Sequence, residues 1–574
     1  MFASSACVND TPASKVLIED REPEAATGTQ QLTSVTGHKF MVAAANPYAS
    51  EAGYNILVKG GSAIDAAIAV QLVLTLVEPQ SSGIGGGAFI LHYDNTNNKL
   101  VAFDGRETAP EKATQDLFLK DNGQAVRWID AVVGGRSVGT PGVLKALELA
   151  HSKHGKLPWS ELFVDAIKLA EHGFIVSPRM AKLVAMQINP GVKDLSAAAS
   201  YFFPNGEAVK AGTLLKNPQL ANAYNAIAKQ GTKVFYNGWL AKNIVNAVQN
   251  SAIAPGRLSL NDLANYRATE TAAVCGTYKV YDVCGMPPPS SGGVAVIQIL
   301  KQLEQHKLEN LSVNSVQSAH LFSQSSRLAF ADRARYIADP DFVDVPVTQL
   351  INDQYLTERG ALINLSHDMG KAKAGEFQSL VALADDNAIE MPSTSHISIV
   401  DGDGNAISMT TSVEMAFGSA VFVDGFLLNN QLTDFSLSPV VDGKLVANRL
   451  APFKRPRSSM SPTMVFNEDG SLRLVVGSPG GSRIINYVAK TIIGVLDWNM
   501  DVQDAINMPN ITNRNDATTL ERSTAIEALK PRLEAMGHKV YVRDLNSGIH
   551  AIEVFNDKLV GGADPRREGK VFSQ

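Results

Sequence analysis

The sequence changes character near residue 394. From Gly139 to about residue 270 it reads mostly as helix, as in PGVLKALELAHSKHG and WSELFVDAIKLAEHG. From 394 on it reads mostly as strand. SHISIVDGDGNAISMTTSV is two alternating runs joined by an Asp-Gly-Asp-Gly turn. VFVDGFLLNNQ, PTMVFNEDGSLRLVVGSPGG, GIHAIEVF and KLVGGA read as further strands, with helices expected at 482–497 and 519–536. The early chain shows the same mixture. An apolar strand, KFMVAAA, begins near His38. Helices follow over 48–78, the second with Ser62 as N-cap and Asp65 three residues on. PPPSSGG (287–293) interrupts the chain before the helical run VAVIQILKQLEQH. No internal repeat of 20–50 residues is present. Strand-rich blocks flanked by helix-rich blocks predict layered α/β or α+β packing rather than a barrel.

Composition removes several function classes. With 51 Lys+Arg against 57 Asp+Glu the net charge is −6, which opposes a nucleic-acid role that needs a basic face. The longest apolar run, Ala66 to Val77, is shorter than the roughly 18 residues of a spanning helix. His151 and His154 have no third ligand nearby, so no metal site is expected. Residues 1–36 read as a flexible leader. Small residues before Cys7 suggest a trimmed export signal, hence a periplasmic or secreted protein with Cys7 as a candidate lipid anchor. Cys275 and Cys284 fall opposite each other if a hairpin turns at Lys279-Val280. A bridge is compatible with that register, but two free buried thiols are the preferred reading.

Three motifs compete for the chemistry. Gly83, Gly85, Gly86 and Gly87 lie between a helix and a strand, the reverse of a dinucleotide-binding loop, and read as a tight turn. Gly135-Arg136-Ser137-Val138-Gly139 fits G-x-S-x-G, so a serine α/β-hydrolase at Ser137 is an alternative, although Pro141-Gly142 interrupts the place where its helix should start. The third is the hydroxyl cluster Ser393-Thr394-Ser395 ahead of a strand. It suits a threonine that attacks the carbonyl before it. The resulting ester hydrolyses and frees Thr394 as a new N-terminus. Its α-amine, with a pKa of about 7.7–8.0, then serves as base for its own hydroxyl.

The third segment is similar to the signature of the gamma-glutamyltransferase family of threonine N-terminal-nucleophile hydrolases. It supplies Thr394-Ser395-His396, Ser398-Ile399-Val400, Asp401, Asp403-Gly404-Asn405, Thr410, Ser412, Glu414 and Phe417-Gly418. FDGRETAP (103–110), PPPSSGG, DRARYIADPDF (332–342), LLNNQLTDFS (427–436), KRPRSSMSPT (454–463) and GSPGG (477–481) resemble family blocks in family order, so the likeness runs from about 38 to 574. It implies an α+β, four-layer αββα sandwich. It also implies a precursor cut between Ser393 and Thr394 into a large chain (37–393 after the leader) and a small chain (394–574) that share one globule.

By the same resemblance Thr394 is the nucleophile and Ser412 its hydroxyl partner, standing where many members have threonine. Gly480 and Gly481 form the oxyanion hole. Arg106, Ser458 and Ser459 hold the donor α-carboxylate, and Gln431 and Asp434 accept from its α-ammonium. Glu414 stands where well-known members have asparagine beside that ammonium, and residues 435–453 lack the tyrosine many members place over the pocket. Arg457 adds a cation suited to a further carboxylate. No metal or organic cofactor is implied. The expected reaction cleaves the γ-glutamyl amide of glutathione and related donors, with transfer to water, an amino acid or a dipeptide. A glutaryl or cephalosporin acylase on the same fold is the alternative.

Overall fold

The computed structural model describes residues 32–377, 383–386 and 388–574. Cys7 and most of the leader lie outside them. Two seven-stranded sheets carry the fold. The first runs, edge to edge, Lys570–Ser573, Met41–Ala44, Ser395–Val400, Ala406–Ser412, Gly87–Asp94, Lys99–Gly105 and Thr269–Thr271. The second runs Val35–Gly37, Leu559–Ala563, His550–Val554, Leu472–Gly477, Thr463–Phe466, Tyr281–Gly285 and Val274–Tyr278. Each sheet mixes strands from both sides of residue 394, so neither part of the chain can complete a sheet alone.

Side-chain alternation along the strands builds the layers. On Met41–Ala44, Val42 and Ala44 join a core with the helices Pro47–Val58 and Ala63–Val77. Met41 and Ala43 point the other way, into a core shared with the second sheet. Phe89 and Leu91 face that second core, whereas Ala88 and Ile90 face the helices. The helices Gly292–Glu304, Val316–Tyr336 and Ile484–Leu496 cover the outer face of the second sheet. The order is therefore helix, sheet, sheet, helix, the αββα sandwich and α+β class expected.

The helix Ala63–Val77 is buried along all 15 residues. Ser62 and Asp65 close a reciprocal capping box. Asp65 also accepts from the backbone N–H groups of Lys156 and Leu157 at 2.9 and 3.0 Å, so one carboxylate ties the helix start to that loop. The Gly83–Gly87 segment turns from this helix into the strand Gly87–Asp94. A Cβ on Gly85 would meet Leu427 O at 2.1 Å, and one on Gly86 would meet Ser412 O at 2.1 Å. The glycines let three backbone strands approach, which is their role rather than phosphate binding.

The structure differs from the sequence reading in four places. The first strand, Val35–Gly37, begins inside the stretch read as leader (1–36) and pairs with Leu559–Gly561. Residues 518–521 form a strand between Ile511–Asn513 and Val540–Arg543, and only Lys530–Ala535 is α-helical; Pro531 sits in that helix's first turn, where it needs no N–H partner. WIDAV (128–132) is a helix, not a strand, so Ser137 is not on a strand-to-helix elbow. Its buried hydroxyl donates to Val132 O at 2.5 Å, with Gly134 O at 3.1 Å. That leaves the serine-hydrolase alternative without a nucleophile. Finally, Cys275 and Cys284 are bridged, not free. The hairpin turns where expected, pairing Tyr278 with Tyr281 and Cys275 with Cys284, and the 4.1 Å Cα separation brings the sulfurs together.

Among the described residues no helix is long and apolar enough to cross a membrane. Denatured, unreduced protein should leave Cys275 and Cys284 unmodified by iodoacetamide, as read by peptide mass spectrometry, with both alkylated only after reduction. Alkylation without reductant would restore the free-thiol reading.

Candidate active site

The hairpin Ser395–Val400/Ala406–Ser412 occupies the middle of the first sheet. Its register pairs Ser395 with Thr411 and His396 with Thr410. Extending that register by one residue sets Thr394 against Ser412, and Thr394 Oγ1 donates to Ser412 Oγ at 3.2 Å. Ser412 Oγ also accepts from Glu414 N at 2.9 Å, which orients it. Thr394 has φ 142°, a conformation a β-branched side chain rarely adopts, at the peptide that follows Ser393. Ser393 Oγ donates to Gln80 O at 2.7 Å, and Arg567 donates to Thr394 O at 3.0 Å, so both sides of that peptide are held.

His396 is not a base for this hydroxyl. It lies between the sheets, hydrogen-bonded to Thr410 Oγ1 at 2.9 Å and Ser398 Oγ at 3.0 Å. Burial first, then the nearby His550, hold its pKa well below the usual histidine range, so it is neutral.

The second sheet supplies the opposite wall. The strand Leu472–Gly477 ends in Ser478-Pro479, then Gly480 at φ 136° and Gly481 at φ 57°, before the helix Ile484–Leu496 begins. A Cβ on Gly480 would meet the Tyr487 ring at 2.6 Å, and one on Gly481 would meet Met391 O at 2.7 Å. Among the described residues neither glycine N–H has an acceptor. Two N–H groups without acceptors at a helix entry are donors open to an anionic oxygen.

Thr394, Ser412 and Gly481 line one cavity with Glu414, Gln431, Asp434 and Ser459. Gln431–Asp434 is a 3-10 turn, which turns both polar side chains of that turn to the same wall. Glu414 Oε1, Gln431 Oε1 and Asp434 Oδ1 are buried acceptors without hydrogen-bond partners. The other Glu414 oxygen takes Asn430 Nδ2, and the other Asp434 oxygen takes Arg106 Nη2 at 2.5 Å. Burial, then the neighbouring Asp434, raise the Glu414 pKa well above the carboxylate range. Burial raises Asp434 to about 7, opposed by Arg106. Burial outweighs the nearby Arg106 cation in holding these carboxyl groups above their usual range.

Arg106 is fully buried beside this wall rather than on it. Its Nε donates to Pro456 O at 3.1 Å and its Nη2 to Arg457 O at 2.8 Å as well as to Asp434, while its Nη1 has no hydrogen-bond partner. Ser458 Oγ accepts from Met460 N at 3.1 Å and does not line the cavity. Ser459 does. The sequence reading missed the residues around it. Glu390, four residues before Thr394, reaches into the cavity. It accepts from Ser459 Oγ at 2.5 Å and pairs with Arg333, with Arg457 at 3.5 Å. With Glu390 in place the cavity keeps about 20 Å3, room for one water. Arg333 lies within DRARYIADPDF, a block whose likeness carried no role. Glu390 has no motif, since only the fold brings it to Ser459. Among the described residues no group of three or more His, Cys, Asp and Glu side chains is arranged to hold a metal.

Comparison with known proteins agrees with this geometry. The gamma-glutamyltranspeptidase family model matches residues 49–573. The chain is 39% identical to a glutathione hydrolase proenzyme of Bacillus subtilis, over 93% of this chain and 91% of that protein. It is 37% identical to the glutathione hydrolase proenzyme of Escherichia coli K12, over the same shares. A cephalosporin acylase from Bacillus halodurans superposes with TM-score 0.83 at 27% identity, covering 96% of this chain and 99% of that one. Gamma-glutamyltranspeptidase from Helicobacter pylori superposes with TM-score 0.56 at 33% identity, covering 62% of this chain and 99% of the solved chain. The chain belongs to the gamma-glutamyltranspeptidase family.

Proposed function

We propose that this chain is a self-cleaving gamma-glutamyl hydrolase and transferase acting on glutathione and related γ-glutamyl amides. The observation that carries the donor assignment is the trio of unpartnered buried acceptors, Glu414 Oε1, Gln431 Oε1 and Asp434 Oδ1, on the same cavity as Thr394. An unpaired buried carboxylate is costly, and a ligand ammonium satisfies all three at once. A γ-glutamyl donor carries one; a glutaryl donor does not.

Maturation comes first. Thr394 Oγ1 attacks the Ser393 carbonyl, the amide nitrogen leaves as the Thr394 α-amine, and water hydrolyses the ester. The cut leaves a large chain ending at Ser393 and a small chain of 394–574. In turnover the α-amine takes the proton from Oγ1, which attacks the γ-carbonyl of the donor. The Gly480 and Gly481 N–H groups hold the oxyanion while Ser412 keeps the nucleophile aligned. The proton passes to the departing amine, leaving an ester on Thr394. Water, an amino acid or a dipeptide then takes the acyl group. Arg106, whose Nη1 faces Glu107 at 3.6 Å and makes no hydrogen bond, would join Ser458 and Ser459 at the donor carboxylate. An oxidising compartment outside the cytoplasm, periplasmic or secreted, is the proposed location, with Cys7 as a possible lipid attachment point; the Cys275–Cys284 bridge supports it.

The acylase reading has support from the cephalosporin acylase neighbour and from the lack of a tyrosine in 435–453. The ammonium argument ranks it second.

Purified protein should run as two bands of about 42 and 19 kDa, the shares of 61.4 kDa set by a cut after residue 393 of 574. Thr394→Ala should stay as one inactive band. Edman sequencing of the small band should read Thr-Ser-His-Ile-Ser; a different start would remove Thr394 as the nucleophile.

γ-Glutamyl anilides should exceed matching glutaryl anilides by at least about 10-fold in kcat/KM, the worth of roughly 1.4 kcal/mol for a satisfied buried polar site. The preference should grow with pH. Asp434, raised to about 7, is protonated below that pH and gains the charge an ammonium needs above it. The ratio of the two donors, which cancels the titration of the shared nucleophile, should therefore rise between pH 6 and 8. A flat or falling ratio would favour the acylase reading.

A further inference from the structure

Glu414 holds a backbone conformation that its side chain does not favour. Its φ is 80°, in the left-handed region that glycine and asparagine adopt more readily than a long side chain does. Phe417, Gly418 and Ala420 also have positive φ, at 66°, 57° and 62°, so the loop after the strand Ala406–Ser412 carries several left-handed residues. Such residues persist only where their surroundings over-determine them. The loop is held from outside: Asn189 Nδ2 donates to Ala416 O and Gly418 O at 3.0 and 2.8 Å, and Phe417 N donates to Gln80 O at 3.0 Å. At Glu414 itself the holds are Ser412 Oγ, which accepts from its N–H at 2.9 Å, and Asn430.

Asn430 stands just ahead of the 3-10 turn Gln431–Asp434, where an asparagine side chain ordinarily accepts from the N–H groups of the turn it starts. It makes no such bond. Its backbone N–H donates to Val413 O at 3.1 Å, and its Oδ1 accepts from Met415 N at 3.0 Å. Its Nδ2 donates to Glu414 Oε2 and to Thr433 Oγ1, the latter at 2.9 Å. Thr433 fixes this residue in turn, donating from its N–H and its Oγ1 to Asn430 O at 3.0 and 2.8 Å. Met415 N can only donate, so the amide oxygen must face it and the amide nitrogen must face Glu414. One fully buried side chain therefore holds the peptide after Glu414 and one of the two Glu414 carboxyl oxygens, leaving Oε1 without a partner. Burial, then Asp434, push the Glu414 carboxyl up, and the Asn430 amide leads the groups that oppose the rise.

We propose that Asn430 is the positioning residue of the ammonium seat: it holds Glu414 in its left-handed conformation, with Oε1 on the same cavity as Gln431 and Asp434, and so sets the preference for donors that bear an α-ammonium. This deepens the γ-glutamyl reading of the cavity and rests on it. Asn430 is not among the residues that line the cavity, so it acts through Glu414. Its amide joins the loop that carries one acceptor to the turn that carries the other two. An asparagine at position 414 would take φ 80° at little cost; a glutamate, with a longer side chain to order as well, needs the clamp.

The test is a double-mutant cycle on the mature two-chain enzyme: wild type, Asn430→Ala, Glu414→Gln and the double variant, each assayed with γ-glutamyl-4-nitroanilide and glutaryl-4-nitroanilide. Where glutaryl turnover is too slow to fit, competitive inhibition by L-glutamate and by glutarate supplies the ratio. Glu414→Gln checks the underlying reading separately. If it leaves the wild-type γ-glutamyl preference intact, Glu414 does not meet the ammonium and that reading falls, whatever Asn430 does. For the positioning role, Asn430→Ala should cut the γ-glutamyl-to-glutaryl ratio about 10-fold, as expected for a lost charged hydrogen bond, chiefly through a higher KM for the γ-glutamyl donor. In the Glu414→Gln background the same substitution should move the ratio by no more than about 2-fold, the scatter of uncoupled sites. An equal loss on both donors, or the same drop in ratio in both backgrounds, would show a merely structural asparagine and overturn the proposal, as would an unchanged ratio. If Asn430→Ala fails to mature, Asn430→Leu, of similar volume, carries the same comparison. Failure of both to mature in either background would overturn the proposal too.

Discussion

The antiparallel pairing of Ser395–Val400 with Ala406–Ser412 organises everything else in this molecule. It forms the centre of the first sheet, flanked by Met41–Ala44 on one side and Gly87–Asp94 on the other. It places a threonine hydroxyl 3.2 Å from a serine hydroxyl at the end of the ladder. A slip of one residue would send Ile397 and Ile399 into the inter-sheet layer and His396 and Ser398 into the helical core. That penalty holds the register, and the register holds Thr394 against Ser412. Asp401 locks the turn, accepting from Asp403 N and Asn405 N at 3.0 Å each, and from Ala63 N at 3.0 Å at the start of the buried helix.

Around this centre the chain has built a charge arrangement that is incomplete by itself. Arg106 and Asp434 make a buried pair, while Glu414 and Gln431 leave oxygens unsatisfied toward the cavity. On the opposite side Arg333 and Arg457 are neutralised by Asp386 and Glu390. An acceptor-rich wall and a cation-rich wall lie beside the same threonine, Thr394. The two ends of an amino-acid head group, ammonium and carboxylate, match these walls in sign. Asp434 is raised to about 7 first by burial, with Arg106 opposing the rise and Glu390 adding to it.

Strands from both sides of residue 394 build each sheet. This interleaving lets a chain be cut beside its central strand without losing its core. Both products stay stitched by backbone ladders and by the two hydrophobic cores, each of which draws residues from both sides of the cut.

Much of this was legible in the sequence because it depends on local order. The capping box at Ser62 and Asp65, the Asp-Gly-Asp-Gly hairpin and the Lys279-Val280 turn each rest on neighbours within a few residues, and each appears as read. The family was legible through the likeness of its signature block, since Thr394, Ser412 and the residues between them share one hairpin. The strand at 518–521 was hidden because its partners at 511–513 and 540–543 are set by sheet pairing, not by its own pattern. The cysteine register was correct, yet bridge against thiols turned on the 4.1 Å Cα approach that spacing does not specify. What the sequence determined by itself was most of the elements and the family likeness, because hydrophobic period, turn chemistry and motif are short-range. Tertiary structure alone decided that Arg106 is committed to Asp434 and that Glu390 rests on Arg333 and Ser459. Contacts between residues 57, 69 or 328 positions apart arise only when separate layers close on one another.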